Sequence, residues 1–122
     1  MGRVLVVDDD EAIVEAVTLA LEFEGYDVVA TTKANEAYDL TCSSMPNVVL
    51  LDLLLSGIDG ATIARRIKNN TKTKNIPIII FSAHPAAKES AKGSADDFLS
   101  KPFDVDDMLY LIKKYSKNHL GR

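Results

Sequence analysis

Four places in this sequence set charged or hydroxyl side chains directly after an apolar run. Val4-Leu5-Val6-Val7 leads into Asp8 and Asp9, Val48-Val49-Leu50-Leu51 into Asp52, and Ile78-Ile79-Ile80-Phe81 into Ser82, while a stretch over 97–100 whose apolar part is only Phe98-Leu99 leads into Lys101. Brought together, three carboxylates, a hydroxyl and an ammonium make a coherent chemical set. Crowded carboxylates repel one another unless a cation neutralises them, and hard oxygen ligands that leave room for water suit Mg²⁺. A carboxylate is also a nucleophile toward phosphorus and gives an acyl phosphate. Lys101 and a divalent cation would then offset charge on the transferring phosphoryl oxygens. An acid hemmed in by apolar neighbours, as Asp52 is, is costly to bury without a purpose. Asp10 and Glu11, in contrast, read as ordinary acids at a helix N-terminus.

The elements that must position these residues follow from the apolar pattern. Short β-branched runs alternate with helix-period segments from one end to the other, which predicts a parallel sheet with helices on both faces. The strands are expected over 4–7, 26–31, 48–53, 77–81 and 97–100. The third is apolar throughout and is therefore central. Ile13, Val17, Ala20 and Leu21 form one face of a first helix, which Gly25 stops. A weaker helix is expected over 35–42, and a third with Ile63, Ala64 and Ile67 as its apolar face. Residues 86–92 are a short helix candidate. A last helix has Asp104 as its cap, Asp106 and Asp107 in its first turn, and Val105, Met108, Leu109 and Ile112 as its stripe. In such a doubly wound sheet the ligand site lies beyond the carboxyl ends of the central strands, where the strand order reverses. The polar residues named above lie at those ends.

Bulk composition narrows the classes. A chain of 122 residues is long enough for one core without a staple, so one domain over 1–122 is expected, with no second output domain. Fourteen basic residues against eighteen acidic ones, net −4, argue against a general nucleic-acid-binding surface. No apolar run approaches the roughly 18 residues of a spanning helix, and no signal-peptide pattern opens the chain. A cytoplasmic protein without membrane insertion is expected. Cys42 is the sole cysteine, so it has no internal disulfide partner and no companion at metal-ligand spacing.

In four ordered segments the chain resembles the response-regulator receiver domains. They are Val6-Val7-Asp8-Asp9, Val48-Val49-Leu50-Leu51-Asp52-Leu53 with Gly60 downstream, Ile78-Ile79-Ile80-Phe81-Ser82-Ala83, and Asp96-Asp97-Phe98-Leu99-Ser100-Lys101-Pro102-Phe103. The resemblance implies a flavodoxin-like fold with strand order 2-1-3-4-5. It implies that Asp52 is phosphorylated by a histidine kinase or phosphotransfer protein. Asp9 and Asp52 would ligate Mg²⁺ directly, Asp8 would act through a water, and the Leu54 main-chain carbonyl would complete the protein ligands. Ser82 falls on the switch hydroxyl, with Ala83 beside it at the phosphate, Lys101 on the site lysine and Phe98 on the switch aromatic. Leu54 and His84 fall on the positions that tune acyl phosphate hydrolysis. The peptide before Pro102 is often cis in the family.

The function so implied is a phosphoacceptor signalling domain that catalyses only its own phosphorylation and dephosphorylation. Its output would be a partner protein on the face of the fourth helix, fifth strand and fifth helix, with the chain a monomer or a phosphorylation-dependent dimer. Two other readings remain: a Mg²⁺-dependent phosphohydrolase with an aspartyl nucleophile, and a constitutive receiver-like scaffold. Phosphohydrolases of that type usually carry a second acid two residues after the nucleophile, where this chain has Leu54. The chain departs from the family at Leu55-Ser56, where Met-Pro is common. It departs again in the eighteen residues between Ser82 and Lys101, about a helical turn fewer than usual. The fourth helix is therefore expected to be short. Without large apolar side chains over 86–92, it is expected to be mobile or only partly helical in the absence of phosphate or a partner.

Overall fold

The structure, a computed structural model, describes residues 2–55, 57–83, 89 and 92–121, with backbone only at 54, 55 and 117–121. Five strands form one parallel sheet: β1 (Arg3–Val7), β2 (Asp27–Thr31), β3 (Val48–Asp52), β6 (Ile78–Ser82) and β7 (Asp97–Ser100), in the order β2-β1-β3-β6-β7. Two further short strands, β4 (Leu54–Leu55) and β5 (Ile58–Asp59), pair with each other as a separate antiparallel hairpin. With that hairpin set aside, the order is the expected 2-1-3-4-5. The α-helices among the described residues are α1 (Glu11–Phe23), α2 (Ala37–Ser44), α3 (Gly60–Lys68) and α4 (Val105–Gly121). The short helix expected over 86–92 falls mostly outside the described residues.

Alternation along the strands builds two cores. Leu5, Val7, Val49, Leu51, Ile78 and Ile80 face α2 and α3, where Ala37, Ile63, Ala64 and Ile67 cover them. Val4, Val6, Val48, Leu50, Ile79 and Phe81 face the other way, under Val17 and Leu21 of α1 and Met108 and Ile112 of α4. Every residue of β3 is buried, as its unbroken apolar run requires for a strand covered on both faces.

The caps explain where the helices begin and end. The Asp10 side chain accepts from the Ala12 and Ile13 amides at the start of α1. Gly25, at φ 93, turns the chain out of that helix. Tyr26 then spends its N–H on the Leu21 carbonyl, which is why β2 starts at Asp27 and not at 26. Pro77 has no N–H to give a ladder, so β6 starts one residue later than expected, and it runs on through Ser82, whose carbonyl accepts from the Lys101 amide. The second helix starts with a 3₁₀ turn, Ala34–Glu36, and continues to Ser44, past the expected end at 42. Asp59 caps α3 through the Ala61 amide at 2.9 Å. At α4 the Asp104 carboxylate accepts from the Asp106 amide at 2.9 Å.

Candidate functional site

The parallel ladder brings the ends of β1, β3, β6 and β7 to one edge of the sheet. Asp52 is in register with Phe81, and Ser82 with Ser100. The Lys101 amide donates to the Ser82 carbonyl at 2.8 Å, which carries the β6–β7 ladder up to the lysine. The switch of strand order lies between β1 and β3, the strands that deliver Asp8 and Asp52.

Asp8, Asp9 and Asp52 each present a carboxylate oxygen within 4.8 Å of the others. Asp8 and Asp52 are buried and Asp9 is exposed, so the cluster opens to solvent on one side. The Lys101 ammonium donates to Asp8 Oδ2 at 2.7 Å and lies 3.6 Å from Asp52 Oδ2. The remaining Asp8 oxygen accepts from the Asp10 amide at 2.8 Å. One carboxylate thus orients the lysine and holds the turn into α1. Three carboxylates beside one ammonium leave a surplus of negative charge, and hard oxygens at this spacing form a donor set that fits a divalent cation such as Mg²⁺.

The other expected residues divide. Ser82 is buried at the end of β6, and Ala83 is exposed beside it. Phe98 is half-buried against the core under α2 and α3. The Lys101–Pro102 peptide is cis. Leu54 lies in β4, but its side chain is outside the described residues, as are His84 and Ser56. Gly60 begins α3 pressed against the strand end, where its amide donates to the Leu53 carbonyl at 2.7 Å.

One contact at the site and one at the opposite end of β7 escaped sequence reasoning. Phe81 lies face-on under Lys101, with its ring centroid 4.6 Å from Nζ. Tyr115 of α4 donates its hydroxyl to Asp97 Oδ2 at 2.8 Å, while Asp97 Oδ1 accepts from the Phe98 amide at 2.7 Å. Burial first, then the Asp97 hydrogen bond and the charges of Asp97 and Asp96, push the Tyr115 hydroxyl up from 10.0 to about 12. Only the long-range pairing of side chains reveals these contacts; within its segment Phe81 counts simply as one more apolar strand residue, and Tyr115 lies in no motif. No helix among the described residues is long and apolar enough to cross a membrane.

The profile of the response regulator receiver domain matches residues 4–113. The chain is 35% identical over 116 residues to the DNA-binding dual master transcriptional regulator RpaA of Synechocystis, covering 93% of this chain and 48% of that one. It is 36% identical over 110 residues to the response regulator MprA of Mycolicibacterium vanbaalenii, covering 88% of this chain and 47% of the other. It therefore spans about half the length of these relatives. Among solved structures, a putative response regulator from Chloroflexus aurantiacus superposes with a TM-score of 0.87 at 32% identity, covering 99% and 98% of the two chains. A Francisella response regulator receiver domain gives 0.86 at 27% identity, covering 97% and 98%. The shared sheet order, the acids and lysine gathered at its carboxyl edge and the match across residues 4–113 have one explanation: this chain belongs to the receiver domain family of two-component response regulators.

Proposed function

We propose that Asp52 is the phosphoacceptor of this receiver. A histidine kinase or phosphotransfer protein would supply the phosphoryl group from a phosphohistidine. The observation that carries the reading is the position of Asp52. Its carboxylate ends the fully buried central strand, 3.6 Å from the Lys101 ammonium and within 4.8 Å of oxygens of Asp8 and Asp9. In the transfer, an Asp52 carboxylate oxygen forms a bond to phosphorus while the bond from phosphorus to the donor's imidazole nitrogen breaks. The electron pair returns to that nitrogen, which takes a proton from water.

Asp9 and Asp52, with the Leu54 carbonyl, would hold Mg²⁺, and Asp8 would reach it through water. When bound, that ion supplies positive charge to the phosphoryl oxygens and to the carboxylate cluster. Lys101, already oriented by Asp8, would supply a second positive charge. Ser82 would donate its hydroxyl to the new phosphoryl group, and Phe98, on the adjacent strand, would repack in response. Signalling then follows from a changed surface around β7, α4 and the segment between β6 and β7, read by a protein partner in the cytoplasm. The chain itself would be a monomer or a phosphorylation-dependent dimer. DNA binding belongs to the longer RpaA and is not assigned to these residues.

The test is intact-mass spectrometry after incubation with acetyl phosphate and Mg²⁺. One phosphoryl group should be added, stable to acid but lost in base or hydroxylamine, and Asp52→Asn should take none. Full labelling of Asp52→Asn would overturn the assignment.

A further inference from the structure

The Lys101 side chain is only 17% exposed, so it is largely withdrawn from bulk water and its ammonium depends on the groups around it. An ammonium carries three N–H donors. On one side it meets Asp8 Oδ2 at 2.7 Å and, farther off, Asp52 Oδ2 at 3.6 Å. It also sits over the Phe81 ring, 4.6 Å from the centroid and inside the roughly 6 Å over which an aromatic face attracts a cation.

The ring is itself held. Phe81 is fully buried, lies in register between Asp52 and Leu99, and meets the ring of Phe103 edge-on at 6.0 Å and 76°. Residues 78–80 of the same strand are all isoleucine. Burial at this place in the sheet is thus compatible with an aliphatic side chain, and a ring is not needed to fill the pattern.

We infer that Phe81 is a positioning residue for Lys101. Its negative face replaces part of the lost hydration and holds the ammonium at the height where the phosphoryl oxygens arrive. The inference rests on the reading of Asp52 and Lys101 given above. When acetyl phosphate is the donor, an Asp52 oxygen bonds to phosphorus as the phosphorus–oxygen bond to acetate breaks, and acetate leaves with the electron pair. Phe81 takes no part in those bond changes and acts through Lys101 alone.

The test replaces Phe81 site-specifically by mono-, di- and trifluorophenylalanine, which keep nearly the same shape while draining charge from the ring face. Phe81→Leu serves as the aliphatic variant. The rate of Asp52 phosphorylation by acetyl phosphate should fall stepwise with fluorination, by roughly threefold to tenfold across the series, with Tm unchanged. In the metal-free protein the Lys101 side-chain NMR signals should show an upfield ring-current shift that Phe81→Leu abolishes. Level rates across the fluorinated series, with only Tm altered in Phe81→Leu, would reduce Phe81 to packing and overturn the inference. Absence of the ring-current shift in the unaltered protein would overturn the contact itself. Failure of the unaltered protein to accept any phosphoryl group would instead bring down the reading of Asp52, and this inference with it.

Discussion

Tyr115 joins two elements through one hydrogen, since its hydroxyl lies 2.8 Å from Asp97 Oδ2 and 3.1 Å from the Asp96 carbonyl oxygen. Folding raises its pKa from 10.0 to about 12, so the folded state holds that proton more tightly than the unfolded chain does. The stabilisation is complete below pH 10 and is lost as pH climbs through 12. Tyr115→Phe should cost about 0.5–1 kcal/mol at neutral pH, since the hydrogen bond is partly open to solvent. It should also flatten the fall in unfolding free energy that the unaltered protein shows over that alkaline window, measured by urea denaturation at stepped pH. Equal slopes for both proteins would show that the hydroxyl is not protected by folding. The carboxylates and Lys101 were legible in the sequence because each ends or closely follows a strand, and a parallel sheet delivers such residues to one edge. Tyr115 and Phe81 were not, because their partners stand 18 and 20 positions away and side-chain pairing at that range leaves no periodic trace.

At the scale of elements, the entry to α3 is the tightest joint near the site. A Cβ on Gly60 would lie 2.9 Å from Leu53 Cα and press on the Asp52 carbonyl oxygen. Gly60→Ala should therefore destabilise the fold by about 1–3 kcal/mol and slow phosphorylation as well, because the backbone that must yield carries Asp52. Gly57→Ala is the control. Its φ is +74, but nothing lies within 4 Å of the added carbon, so it should cost about 1 kcal/mol and leave the phosphorylation rate nearly unchanged. Urea unfolding and labelling kinetics on the two variants separate these effects, and matching rates for both would show that the joint does not govern Asp52. Most elements could be read from the sequence because strands buried on both faces are continuously apolar and helices such as α3 carry a clear stripe. The β4–β5 hairpin could not, since strands of two residues are too short to show a period. The second helix was read only approximately, because its buried positions, Ala37 and Thr41, are small or polar.

At the scale of the whole molecule, the sheet divides two cores and gathers negative charge at one edge. A cation that binds this edge binds only the folded state, since the unfolded chain does not assemble Asp8, Asp9 and Asp52. Mg²⁺ at about 100 times its Kd should thus raise the unfolding free energy by about 2.7 kcal/mol, and chelation should reverse the gain. Asp9→Ala should remove more of that gain than Asp8→Ala, because Asp8 is committed to Lys101 and the Asp10 amide; equal losses in thermal melts would contradict this division. The central strand carries a further consequence. β3 is hydrogen-bonded to β1 on one side and to β6 on the other, with a core on each face, so its amides gain access to solvent only when the molecule opens as a unit. Deuterium uptake at Leu50 and Leu51 is therefore a clock for global unfolding. The carboxylate at the end of that strand is wired to the slowest-opening part of the protein, and whatever it binds resets that clock across the entire sheet.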